Sequence, residues 1–392
     1  TPIIFLLSCG SDEIVQYFEY TDHNVLNIGS QLTDLVITSD SNTLIAADKG
    51  NNQVRFIDVS TDKMSIIANV LVGSEPSSLE LTADGQHLLV GLQGAASVAV
   101  VSVLDMELLG SYQLVDDDPL HGMFDIEYIN TTDQLIVSFV SSDPSYNRTK
   151  LYDLDNWIDF VATESTFEYG GTSFIIEANT AAGYISLSND EEFLYVVDKY
   201  NGIDGVYKYN ILENLIPTST ITTATWASPT TFSPRVGTIK SLHDIEYLPS
   251  FGVVIAVGGE DIIGEGDFDH SSAFDLDDLS LKGHFGVGST PLALTYDPIG
   301  EHLYISPTDV DDNGVFVIEY SIQTQLQTNY YQVAGRLGSH ALVVDPKGEY
   351  IYAAVDDLSD QDTDEPYNNS SFNIQRIKIL PEGTYPAINN FE

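Results

Sequence analysis

LTADGQHLLVGLQGAASVAVVSV, Leu81 to Val103, holds an apolar run (Leu88-Leu89-Val90), a Gly/Ala-rich turn, and then the alternating Ser97-Val98-Ala99-Val100-Val101. Two antiparallel strands joined by a turn are the reading that this pattern supports. Asp84-Gly85 just upstream is a tight-turn signal that joins them to a preceding strand. The unit therefore has at least three strands.

The same succession recurs along the chain. The strand before the turn, A, reads DLVIT at Asp34, SLELT at Ser78, DIEYI at Asp125, YISLS at Tyr184, DIEYL at Asp244, ALTYD at Ala293 and ALVVD at Ala341. Strand B reads LIAAD, LLVGL, LIVSF, LYVVD, VVIAV, LYISP and IYAAV, with a further copy, IIFLLSC, near the N-terminus. Strand C follows each time, from IVQYFEY and VRFIDV to GVFVIEY and NIQRIKI, and a looser fourth strand, D, closes the unit, as in LLGSYQLV. A period of about 40 to 50 residues signals a propeller or a solenoid. Eight B–C hairpins in 392 residues give a mean near 49 residues per unit, which suits four-stranded blades set radially.

The expected fold is thus all-β, a single β-propeller domain over 1–392 with four-stranded antiparallel blades. Eight blades are favoured and seven are the alternative. The approximate units are 1–29, 30–73, 74–115, 116–170, 171–229, 230–288, 289–335 and 336–392. In this reading residues 1–29 supply strands B, C and D of one blade, with VLNI as D, and its innermost strand comes from elsewhere, with the C-terminal TYPAINNFE as a candidate. Pairing of the two termini would remove exposed edges.

Gly73-Ser-Glu-Pro76, the alternating strand after it, the Asp84-Gly85 turn and Leu88-Leu89-Val90 resemble the YVTN-type propeller repeat. Gly288-Ser-Thr-Pro291 through Asp297-Pro-Ile-Gly300 to Leu303-Tyr304-Ile305 matches almost as well, and so does the unit at Gly338. The YVTN tetrapeptide itself is absent. The resemblance implies a propeller of the kind shared by surface-layer proteins, secreted proteins and lactonase-like enzymes. A fold shared so widely implies no single activity.

Fourteen Lys and Arg stand against 59 Asp and Glu, a net charge of −45. Self-repulsion on that scale opposes nucleic acid or anionic membrane as partners and invites cations. A solvated acidic surface that keeps the protein soluble is the simplest account of it. Forty-three per cent apolar residues in regular alternation separate the chain from disordered acidic sequences. Cys9 is the only cysteine, so no intrachain disulfide forms. LLSCG has some likeness to a lipoprotein cleavage box, but Cys9 within the B–C template reads as a buried thiol. No run approaches the 18 apolar residues of a membrane span. The sequence begins at Thr1, and with the acidity this favours a secreted or cell-surface location. Sequons at Asn130, Asn147, Asn368 and Asn369 fall in expected turns or loops.

Acids crowd the B–C connections. Asp267 and Asp269 lie in one, Asp309, Asp311 and Asn313 in the next, and Asp356 and Asp357 in the last. Such hard-oxygen clusters suit calcium. DVDDNG, Asp309 to Gly314, reproduces the opening of a calcium loop, although Val317 and Tyr320 occupy its ninth and twelfth positions. A hairpin turn of solvated Asp and Asn is the alternative. In the A strands, Asp34, Asp125 and Asp244 share one position, and Glu80, Glu127 and Glu246 share the position two later. These acids are expected at the central channel. Cation binding there is one reading, and capping of neighbouring backbone amides is the favoured one.

His121, His243 and His340 cluster near the entries to strand A, but no nucleophile elbow, zinc-protease or phosphate-loop motif accompanies them. The sequence therefore favours a non-catalytic secreted or surface scaffold. Its expected partners are copies of itself or another surface component, in a layer or filament with calcium-bridged acidic faces, and no organic cofactor is expected. The alternatives are a lactonase-like hydrolase and a polysaccharide- or protein-binding propeller with loop aromatics such as Tyr146, Tyr200 and Tyr367.

Overall fold

The computed structural model of the protein describes residues 24–114, 121–132, 134–141, 148–153, 174–176, 183–197, 206–211, 239–261, 270–277, 279, 281–286, 291–307, 315–324, 326–333, 336–356 and 372–380. A short strand, β1 (Val25–Asn27), precedes the first blade, which is β2 (Leu32–Ile37), β3 (Thr43–Asp48), β4 (Gln53–Asp58) and β5 (Ser65–Leu71). The second blade is β6 (Pro76–Leu81), β7 (His87–Leu92), β8 (Ser97–Ser102) and β9 (Glu107–Gln113). The third is β10 (His121–Ile129), β11 (Gln134–Ser141), β12 (Arg148–Asp153) and β13 (Phe174–Ile176). A three-stranded sheet follows, β14 (Ile185–Leu187), β15 (Phe193–Val197) and β16 (Val206–Asn210). The next blade is β17 (Ile239–Leu248), β18 (Val253–Asp261), β19 (His270–Asp275) and β20 (Leu281–Gly286). The one after it is β21 (Pro291–Asp297), β22 (His302–Pro307), β23 (Val315–Ser321) and β24 (Leu326–Val333). The chain ends in β25 (Arg336–Val344), β26 (Tyr350–Asp356) and β27 (Asn373–Lys378).

Each sheet pairs its strands antiparallel, and each A, B and C run read downstream of residue 30 falls in its own strand. The B and C strands read as continuous apolar runs because sheets pack on both of their faces: β8 is buried throughout, whereas the outer strand β5 alternates. Leu89, Val98 and Tyr112 of the second blade, for example, interlock with Met123, Leu135 and Phe139 of the third.

The blade count differs from the expectation. Among the described residues six complete four-stranded blades form, not the eight favoured nor the seven of the alternative, together with the three-stranded sheet β14-β15-β16. The fourth unit shows three strands among the described residues, and for the unit expected from residues 1–29 the reason lies in β1. Val25 pairs with Gln375, Leu26 with Ile374 and Asn27 with Asn373, so VLNI is the outermost strand of the last blade, in the order β1-β27-β26-β25, and not the edge of a blade of its own. Leu35 and Leu44 of the first blade already pack against Ala341, Tyr352 and Ile374 of the last. The first and last blades are therefore direct neighbours. IIFLLSC, IVQYFEY and TYPAINNFE lie outside the described residues.

The A–B turns repeat one hydrogen-bonding device. Thr38, Thr82 and Ser188 donate their hydroxyls to Asp40, Asp84 and Asp190 at 2.7, 2.7 and 2.6 Å. Each aspartate also accepts an N–H two residues on, from Asn42, Gln86 or Glu192. Between them stands a left-handed residue: Gly85 at φ 66°, but Ser41 at 61° and Glu191 at 57°. The turn at Asp84-Gly85 is thus the relaxed copy of a motif that other blades build under strain. At Glu191 the side chain has a use, since it accepts bonds from the N–H groups of Asn130 and Thr131, from the Asn130 amide and from the Thr131 hydroxyl. Asn130 in turn accepts the Ala83 N–H at 3.0 Å, so neighbouring turns are tied along this face.

Candidate functional site

Strand A is innermost in every blade, and its register carries a bulge just before the shared column of residues. The shift falls between Leu32 and Asp34, Pro76 and Ser78, Met123 and Asp125, Leu242 and Asp244, and Pro291 and Ala293. A bulge turns the strand locally and re-aims the side chains beside it. Thr33 and Ser77 occupy the extra position in the first two blades, and each hydroxyl donates to the next A strand, to Pro76 O at 2.8 Å and Met123 O at 3.2 Å. His243 holds the same extra position in β17.

The three aspartates that follow the bulge are nearly identical in their bonding. Asp34 Oδ1 accepts the Leu35 N–H at 2.7 Å, and its Oδ2 accepts the Leu79 N–H of the next blade at 2.7 Å. Asp125 takes Ile126 at 2.9 Å and Ile185 at 2.9 Å; Asp244 takes Ile245 at 2.8 Å and Leu294 at 2.9 Å. All three are buried, at 6, 5 and 4 % exposure. Each staples its own strand to the following one; Ser78, Tyr184, Ala293 and Ala341 fill the same column in the remaining A strands.

Two residues beyond that column, Glu80, Glu127 and Glu246 face a cavity of ≈ 240 Å³ at the axis, which the aspartates also line. Among the described residues no Lys, Arg or His lines it, and the rest of the wall is aliphatic with Ser186 and Thr295. Glu127 accepts the Leu187 N–H at 3.2 Å. Burial, then the charges of Asp125 and Asp34, push the Glu80 carboxyl up to about 8. Burial raises Glu127 well above the usual carboxylate range too, with Glu80, Asp125 and Glu246 adding to the rise and the Leu187 N–H opposing it.

Asp34, Asp125 and Asp244 thus line the axial cavity and cap backbone amides. Among the described residues no three His, Cys, Asp or Glu side chains converge closely enough to hold a metal ion. Of the surface candidates for calcium, Asp267, Asp269, Asp309, Asp311, Asn313 and Asp357 lie outside the described residues, and Asp356 is the last residue of β26. His121, His243 and His340 fall in β10, β17 and β25, on three separate A strands. The inter-blade donors Thr33 and Ser77 escape sequence reading, because a hydroxyl before an apolar strand carries no periodic signal.

The chain matches no protein-family model and no curated protein sequence. It is similar to solved β-propeller structures. One is Kuenenia stuttgartiensis hydrazine synthase, at 16% identity and a TM-score of 0.58, covering 87% of this chain and 96% of that one. Another is the WD40 repeats of RRP9, at 11% identity and a TM-score of 0.61, covering 91% and 97%. A third is the β-propeller domain of Myceliophteria thermophila Cps50 (Swd1), at 11% identity and a TM-score of 0.59, covering 91% and 100%. Likeness at such low identity establishes the β-propeller fold alone. Among the described residues no helix is long and apolar enough to cross a membrane.

Proposed function

We propose that the protein is a non-catalytic β-propeller scaffold of the cell surface or extracellular space, which associates with copies of itself or another surface component through calcium-bridged acidic faces. The observation that carries this reading is the division of labour among the acids. The axial aspartates are consumed in holding blades together, while a net charge of −45 leaves a large acidic excess for the surface. Bare, that surface repels its own copies; bridged by a cation with six to eight oxygen ligands, it becomes adhesive. Asp309, Asp311 and Asn313 are the first ligands in this scheme, with Asp267, Asp269, Asp356 and Asp357 next.

The test is sedimentation velocity in calcium chloride against sodium chloride at matched ionic strength. Screening alone acts equally in both salts. Larger species in calcium, dispersed by chelator and absent from an Asp309→Ala/Asp311→Ala variant, are expected. Equal sedimentation in the two salts would overturn the proposal.

A further inference from the structure

We propose that Glu80 and Glu127 form a proton-holding pair inside the axial channel, so that the cohesion of the innermost strands is set by the pH of the solution around the protein. The geometry is that of an axial cavity lined by neighbouring A strands. Glu80 enters it from β6 and Glu127 from β10, beside Asp34 of β2, Asp125 of β10, and Asp244 and Glu246 of β17. Among the described residues the walls from β14, β21 and β25 contribute no titratable group, and no cationic side chain lines the cavity. Asp34 and Asp125 each accept two N–H bonds, the role of an ionised carboxylate. No described N–H or O–H group donates to Glu80. Where like charges share an enclosed space with nothing to neutralise them, one member of the set gives up its charge. The N–H bonds to Asp34 and Asp125 favour their charged forms, and the glutamates are left to take the protons.

The raised carboxyls of Glu80 and Glu127 agree with this geometry. A carboxyl whose folded value lies above its unfolded value contributes stability that is complete below the unfolded value and is lost as pH rises through the folded one. For Glu80 that window runs from the ordinary 4.5 to about 8. Above it Glu80 is charged beside Asp34 and Asp125, and the first three A strands repel one another at the axis.

The experiment is chemical unfolding of the full chain as a function of pH, in sodium chloride at fixed ionic strength, for wild type, Glu80→Gln and Glu127→Gln. Near the middle of the window folded wild type should hold about one proton more than the unfolded chain on account of Glu80. Its denaturant midpoint should fall across the window and then level, and each Gln variant should lose part of that slope. Parallel profiles in wild type and both variants would overturn the proposal. If a variant does not fold, infrared spectroscopy of folded wild type decides. A protonated-carboxyl band present at about pH 7 and weakened by about pH 9 supports the pair, and its absence at the lower pH refutes it. Calcium that restores the alkaline midpoint in wild type but not in Glu80→Gln would make the channel a metal site and refute it equally.

Discussion

Asp125 and Ile185, sixty residues apart, meet at 2.9 Å across the boundary between the third blade and the sheet β14-β15-β16. The other oxygen of the same carboxylate holds the Ile126 N–H. Removing the carboxylate strands two buried donors, and an unsatisfied buried donor costs about 1–3 kcal/mol. Asp125→Ala should therefore lower unfolding stability by about 2–4 kcal/mol, and Asp125→Asn, which keeps one acceptor, by less. Denaturant titration checks the order; an alanine variant as stable as wild type would remove the staple from the account.

Arg376 makes the corresponding prediction for ring closure. From β27 its Nη1 donates to Val59 O at 3.3 Å and Thr61 O at 2.7 Å, its Nη2 donates to Asp62 O, and the guanidinium lies 5.2 Å from the Tyr350 ring centroid. The last blade thus grips the C–D turn of the first. Arg376→Ala should cost about 2–4 kcal/mol, and Arg376→Lys should recover little, since a point charge cannot fork to several carbonyls at once. Thermal melts of the two variants give the comparison.

Ser41 shows where the fold stores strain. It is buried at φ 61°, and its hydroxyl has no partner. Ser41→Gly relieves the left-handed backbone and the stranded hydroxyl together, at the expense of a more flexible unfolded chain. A net gain of about 1 kcal/mol is expected. A melting temperature below wild type would show that Ser41 is not strained in solution.

The A–B turns set the acid side of the stability profile. Hydrogen bonds from Thr38, Thr82 and Ser188 hold the carboxyls of Asp40, Asp84 and Asp190 below their usual range. A depressed carboxyl contributes stability that is present above its unfolded value and lost as pH falls through the folded one. Stability should fall with acid below the ordinary 3.8, and Thr82→Ala should blunt that fall. Carboxyl carbon shifts followed by NMR through the acid range would reveal an Asp84 that titrates at its ordinary value, were the bond absent.

Most of the ring was legible in the sequence because the apolar runs of strands A, B and C recur in each unit, with the Asp84-Gly85 turn as their plainest punctuation. Closure was not. A three-residue strand such as Val25–Asn27 has no periodic signal, and its pairing with β27 is set by a register nearly 350 residues away in sequence. The channel acids were visible as a column, DIEYI over DIEYL, but their division into stapling aspartates and enclosed glutamates depends on which oxygen meets which amide of the next blade. That information appears only when Asp34 is placed beside Leu79 and Asp125 beside Ile185. Thr33 and Ser77 needed the bulge as well, since without it their hydroxyls have no reason to point at a neighbouring carbonyl.

The central claim, that axial aspartates bind blade to blade, is tested most directly by hydrogen exchange at the amides of Leu79, Ile185 and Leu294. In the wild type all three should exchange only with global unfolding, because each N–H is buried against a carboxylate of the preceding blade. In Asp34→Ala, Asp125→Ala and Asp244→Ala the matching amide alone should lose protection while the other two keep theirs. Fast exchange at these amides in the wild type, or uniform protection in the variants, would contradict the account.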